Sequence, residues 1–203
     1  MITSWIAISS NSVIINGAPL SHKANGSELL KELYKDRIDY PKFYKMDALC
    51  KLGFVASELL LQREKESRFI PREDRSVILF NQYGSLNADR NFQSTISNSE
   101  NYFPSPSLFV YTLPNIVTGE IAIRNKYYGE TSFYVLPEFD AEAIAFHIDN
   151  AFQDGKTKSI IGGWIDCKDK DNFEAIMIIV DNKHQSQDLL SKEIELYFKQ
   201  INR

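Results

Sequence analysis

Apolar positions recur along this chain in two rhythms, and the rhythm changes from one stretch to the next. From Asp47 onward, Ala48, Leu52, Val55, Ala56, Leu59 and Leu60 fall on a 3.6-residue period, which predicts a helix over 47–62 with Asp47 as its cap. The same period carries Ala141, Ile144, Ala145, Ile148 and Phe152, predicting a second helix over 140–154. There Ala143 and Phe146 make the middle apolar nearly all round, the pattern of a helix placed in an interior or an interface. A third follows at 186–201 through Leu190, Ile194, Tyr197 and Ile201. Another is expected within 114–126, because proline is preorganised for a first helical position and Gly129 follows the end. A weaker one opens at Asn87 or Asp89 and runs through Ile96.

Between the helices the rhythm is lost to solid apolar runs. Ser76–Asn81, Ser159–Ile165 and Ala175–Val180 read as strands covered on both faces. Trp5–Ser10 and Val13–Asn16 are β-rich and end in the turn residues Asn16-Gly17-Ala18-Pro19, and Thr131–Leu136 is strand-like. The stretch 18–46 holds a short helix at Ser27–Tyr34 and a Tyr/Lys-rich connection through Pro41. It shows no clear period, so it is expected as an irregular insertion. Strands alternating with helices predict one α/β layered domain, its sheet mixed but mostly parallel, with helices on both faces.

Composition narrows the chemistry. The net charge of −4 with mixed signs argues against a nucleic-acid surface, which needs a concentrated positive field. Two cysteines, Cys50 and Cys167, and three scattered histidines, His22, His147 and His184, form neither a disulfide scaffold nor a metal framework, and no cofactor is implied. The first residues lack a positive n-region and a long apolar core, and no stretch approaches the ~20 apolar residues of a membrane span. A cytoplasmic location is expected.

The segment Phe103-Pro-Ser-Pro-Ser-Leu-Phe-Val-Tyr-Thr-Leu-Pro-Asn115, continuing through Gly119 to Arg124, resembles part of the β-ketoacyl-[acyl carrier protein] synthases. In that part of the family a Ser/Asn-Pro-x-x-Phe loop leads into an Asn-x-x-x-Gly helix. Tyr128-Gly129-Glu-Thr131 sits where the family has a Gly-Pro-x turn, and Gly155 with Gly162-Gly163 through Asp166 resembles its helix-ending Gly, Gly-Gly and acidic residue. The likeness is greatest to the aryl polyene and flexirubin pigment branch. It spans residues 45–180 and implies the N-terminal half of a thiolase-like fold.

The resemblance also exposes what is missing. The family nucleophile lies between the two glycines matched by Gly129 and Gly155, and its register lands on Glu138, with no cysteine nearby. A helix N-terminus lowers a thiol pKa and would equally favour a carboxylate, but a carboxylate is a poor nucleophile for thioester exchange. The family's catalytic histidines belong to a C-terminal half that is expected to begin where this chain ends. The resemblance therefore implies no catalytic residue here. It implies instead a non-catalytic partner comparable to a chain length factor, pairing with a full-length ketosynthase or with itself, and an acyl carrier protein is a further candidate partner. In the family the strand before the nucleophile runs beside its dimer mate. Thr131, Phe133 and Val135 on that strand, with Ile144 and Ile148 on the apolar helix that a half-fold would leave uncovered, are the interface candidates. Two alternatives stand beside this: half of a split condensing or decarboxylating synthase with Glu138 facing a shared tunnel, and a dimeric module that binds an acyl chain.

Blander readings compete at each residue. Glu138 serves as well to complement a helix dipole, Cys50 and Cys167 as buried packing, and His147 as the flank of a packed helix. Arg63, Lys65, Arg68, Arg72 and Arg75 are interleaved with Glu64, Glu66, Glu73 and Asp74, the composition of a solvated charged surface.

Overall fold

Seven strands hydrogen-bond in the order β3-β2-β1-β7-β6-β4-β5. They are β1 (Ile2–Ser9), β2 (Ser12–Ile15), β3 (Ala18–Pro19), β4 (Arg75–Asn81), β5 (Thr131–Val135), β6 (Ser159–Asp169) and β7 (Asn172–Asp181). The structure, a computed structural model, describes every residue except 36, 65–67, 184, 185, 202 and 203, together with the side chains of 63 and 101. His184, Lys65 and Glu66 thus lie outside the described residues.

Parallel pairing is confined to β4 with its two neighbours, β5 and β6; the other four pairs are antiparallel. The sheet is mixed, as expected, but it is not mostly parallel. The physical reason is that β6 and β7, although joined as a hairpin, are covered on both faces: β6 is buried from Ser159 to Cys167. A solid apolar run reports two covered faces, not strand direction.

One face of the sheet carries α1 (Gly26–Lys35), α2 (Ala48–Leu60), α3 (Leu86–Ser94), α4 (Pro106–Val110) and α5 (Ile116–Asn125); the other carries α6 (Ala141–Ala151) and α7 (Gln187–Phe198). Three layers result, helix on sheet on helix. The helix surrounded by protein is α2: all but Ala48 and Lys51 of its residues are buried, and it contacts α1, α5, β1, β6 and β7. Gly53 allows this closeness, since a Cβ there would stand 2.5 Å from Val117 Cγ2. Asp47 Oδ1 caps the helix by accepting the Cys50 N–H at 2.9 Å.

The stretch 18–46 contributes both regular elements and core residues. It holds β3, α1 and a 3-10 turn at Pro41–Lys45, and places Leu29, Leu33 and Phe43 in the core with no exposure. Its apolar residues are split between two short helical pieces, so no single period runs through them.

On the second face, α6 begins at its cap Asp140, whose Oδ1 accepts the N–H groups of Glu142 and Ala143, each at 2.9 Å. Ile144 and Ile148 have no exposure and pack in a cluster with Phe80, Trp164 and Ile178. They are core residues and are withdrawn as interface candidates. The expected uncovered layer does not exist, because α7 lies beside α6 and the two helices together close that face of the sheet. Of the middle of α6, Phe146 is left outward at 53% exposure.

Candidate partner interface

β5 is the last strand of the sheet, so only its β4 side is paired. The Val77 N–H donates to the Glu130 carbonyl and the Leu136 N–H to the Asn81 carbonyl, both at 2.8 Å. Backbone direction alternates along a strand. Residues 130, 132, 134 and 136 therefore face β4, and Thr131, Phe133 and Val135 turn their N–H and C=O groups to the open edge. These are three of the five residues nominated from sequence, and the structure brings them together in one row. Phe133 packs its ring partly against the core on the α2/α5 face, while Thr131 and Val135 are exposed.

Sequence reading missed a set of exposed apolar side chains. Tyr102, Phe103, Phe109, Val110, Leu113, Ile123 and Tyr128 are each between 44% and 76% exposed, in the segment from the end of α3 to the start of β5. Phe103 stands at 76%. Large apolar side chains left in water are of the kind that a partner covers. The signal available in the sequence was aromatic content within a Pro/Ser-rich stretch. It has no period because α4 is a five-residue helix, started by the Ser105 cap and Pro106, with no buried residue.

At the C-terminal ends of β4, β5 and β6 the chain builds a polar junction. Asp166 is 6% exposed, and its Oδ1 accepts the N–H groups of Tyr83 at 3.2 Å, Cys167 at 3.2 Å and Gln82 at 3.4 Å. Gln82 Nε2 in turn donates to the Pro137 carbonyl at 2.7 Å. Burial raises the Asp166 carboxyl above its ordinary pKa, partly offset by those three donors. Its cross-strand neighbour Glu174 accepts from Trp164 Nε1 at 3.1 Å and is likewise raised by burial. Asp166 thus ties the β4–α3 turn to β6.

Glu138 sits beside this junction, exposed in the bend between β5 and α6. It is not in the first turn of the helix: Asp140 is the cap, and its carboxylate already takes the free N–H groups. The N-terminal field that would activate a nucleophile is answered by the chain's own side chain. His147 lies half-buried on α6, stacked on Tyr134 at 4.1 Å between ring centroids, and His22 sits at the Ala24 carbonyl ahead of α1. Cys50 and Cys167 are free and buried; burial pushes the Cys50 thiol well up and the Cys167 thiol to about 12, so neither is a thiolate near neutrality.

The basic run has local partners. Arg68 binds Glu58 and Asn125, Arg72 binds Asp74, and Arg75 binds Glu64 and Ser159. Among the described residues no group of three or more His, Cys, Asp or Glu side chains is placed to hold a metal ion, and no helix is long and apolar enough to cross a membrane.

No family model and no curated protein matches the sequence. Solved structures do. The chain is similar to the ishigamide ketosynthase/chain length factor, with a TM-score of 0.68 and 17% identity, covering 91% of this chain and 62% of that one. It therefore spans under two thirds of that neighbour's length. It is also similar to a chain from the ketosynthase ApeO in complex with its chain length factor ApeC from Xenorhabdus doucetiae, with a TM-score of 0.61 and 12% identity, covering 99% of this chain and 90% of that one. At these identities the likeness is one of fold alone: the chain shares the mixed α/β fold of these ketosynthase and chain length factor structures.

Proposed function

We propose that this protein is a non-catalytic subunit, comparable in role to a chain length factor, that pairs with a ketosynthase in fatty-acid or polyketide-type chain building of the aryl polyene kind. The observation that carries the reading is the open β5 edge, where Thr131, Phe133 and Val135 turn their backbone N–H and C=O groups outward and where exposed Ile123 and Tyr128 lie on and just after α5, the helix packed against β5. Strand addition supplies main-chain hydrogen bonds, and the exposed Ile123 and Tyr128 side chains supply apolar area. One solved neighbour is a ketosynthase in complex with its chain length factor, which supports a partner of that class.

The state of the α6 N-terminus supports the absence of acyl transfer: Glu138 replaces a thiol and Asp140 occupies the N–H groups. The closed α6/α7 layer counts against a split synthase, since that face needs no complementary half. A homodimer through the same edge is the second reading, because an exposed edge strand is self-complementary in principle. A cytoplasmic setting, as expected for such a pathway, is part of the proposal.

Light scattering on size-exclusion fractions tests it, with the protein alone and mixed with a full-length ketosynthase from the same cell. A one-to-one complex is expected. A monomer indifferent to the ketosynthase, or acylation of the isolated chain by an acyl carrier protein thioester, would sink the proposal.

A further inference from the structure

Away from β5, a cavity of about 390 Å³ opens where α1, the 3-10 turn before α2, α3, α4 and the β6–β7 turn converge. Four lysines from four different elements line it: Lys31, Lys45, Lys51 and Lys170. Two carboxylates line it with them, and both are engaged. Glu28 is on Lys31 at 2.6 Å, and Asp47 caps α2. Lys170 leans on Asp171 at 3.7 Å, outside the lining. Lys45 and Lys51 have no carboxylate within salt-bridge distance among the described residues; Lys51 lies over the Phe43 ring at 5.7 Å. Gathering ammonium groups around a recess costs repulsion that an anion would relieve.

A second, independent feature points the same way. Tyr111 lines the cavity at 8% exposure, and its hydroxyl has no hydrogen-bond partner among the described residues. The hydroxyl is not sealed from solvent, so it is free to hydrogen-bond a molecule that enters the cavity. Leu30, Met46 and Leu108 add an apolar wall. We propose that this cavity binds a small anion-headed ligand, a phosphate ester or carboxylate on a short apolar body, held at its head by the lysines and the Tyr111 hydroxyl.

Lysine ammoniums act as point charges and do not choose between phosphate and carboxylate by shape, so both sources are probed. The sign of Asp47 makes the prediction two-sided: an uncharged residue there removes a repulsion from the bound anion. The inference does not rest on the proposed function, since no residue of β5 lines the cavity.

The test is titration of the full chain with butyl phosphate, butyrate, inorganic phosphate and butylammonium, followed by calorimetry and by amide shifts near Asn87 and Tyr111 at pH above 7. Saturable binding of butyl phosphate or butyrate is expected, and the tighter of the two identifies the head group. The exposed double variant Lys45→Glu/Lys170→Glu and the variant Tyr111→Phe should each weaken it by about tenfold, the scale of one charge-assisted hydrogen bond. Asp47→Asn, which keeps a capping side chain, should tighten it. Absence of saturable binding, unchanged affinity in the double variant or in Tyr111→Phe, or equal binding of butylammonium or inorganic phosphate would overturn the proposal.

Discussion

Arg75 and Glu64 meet in a two-pronged ion pair, both terminal guanidinium nitrogens on the two carboxylate oxygens, with the Arg75 side chain only 3% exposed. Arg75 opens β4, and its Nη2 also donates to Ser159 at the start of β6, so the pair fastens the segment after α2 to the parallel strands. Removing one member leaves a charge in a poorly solvated place. Arg75→Ala is expected to cost about 3–5 kcal/mol of stability and Glu64→Gln less, because the Glu64 side chain is 23% exposed and screened by water. Urea denaturation of the two variants checks the order.

The alternation along β5 gives a sharper test of the partner edge. Proline at Thr131 or Val135, both exposed, removes an outward N–H and leaves the ladder to β4 intact, so the fold should hold to within about 1–2 kcal/mol while partner binding is lost. Proline at Ser132 removes an inward N–H and should unsettle the strand itself. Circular dichroism and co-elution with the ketosynthase are read on all three. Equal binding by Val135→Pro and the parent chain would remove this edge from the interface.

Glu138 and Asp140 stand two residues apart but do different work. Glu138→Ala should change stability by no more than about 0.5 kcal/mol, as expected for an exposed side chain with no hydrogen bond or ion pair among the described residues. Asp140→Ala strips the α6 cap and should cost about 1 kcal/mol, with a range of 0.5–2. Thermal unfolding separates them.

Asp47 predicts a pH dependence. Burial pushes its carboxyl up from 3.8 to about 6, against the pull of the Cys50 N–H. A raised carboxyl binds its proton more tightly in the folded state, so its contribution is present below about 4 and is lost as pH rises through about 6. The loss is up to roughly 3 kcal/mol. Asp166 and Glu174 act in the same sense, whereas Asp74, Asp154, Asp169 and Asp171, lowered in pKa and far more exposed, act oppositely and weakly. The difference between parent and Asp47→Asn isolates the one residue. Stability measured from pH 4 to 7 should fall for the parent relative to the variant; parallel curves would show that Asp47 titrates normally.

Much of this architecture is legible in the chain because burial and capping leave local marks. Asp47, Asp140 and Ser186 cap the three helices that the apolar period locates, and the run Val77–Phe80 is a fully buried strand as its composition requires. What escaped depends on partners far along the sequence. Strand direction in β6 and β7 is hidden because both are apolar on both faces. Ile144 and Ile148 look like an unpaired surface until α7, forty residues later, is placed beside them. The row Thr131, Phe133 and Val135 could be named from resemblance, but the exposure of Phe103 and Phe109 could not, since apolar residues outside any period are silent about which side faces water.

The two ends of the sheet are unlike, and this sets how many partners strand addition can recruit. At one end β3 is two residues long and closes on Pro19, paired with Ile14, which blocks the next strand. At the other, β5 is open. A sheet that can grow in a single direction takes on one neighbour and stops, so assembly through this surface yields a closed pair and terminates there, with no route to a fibre.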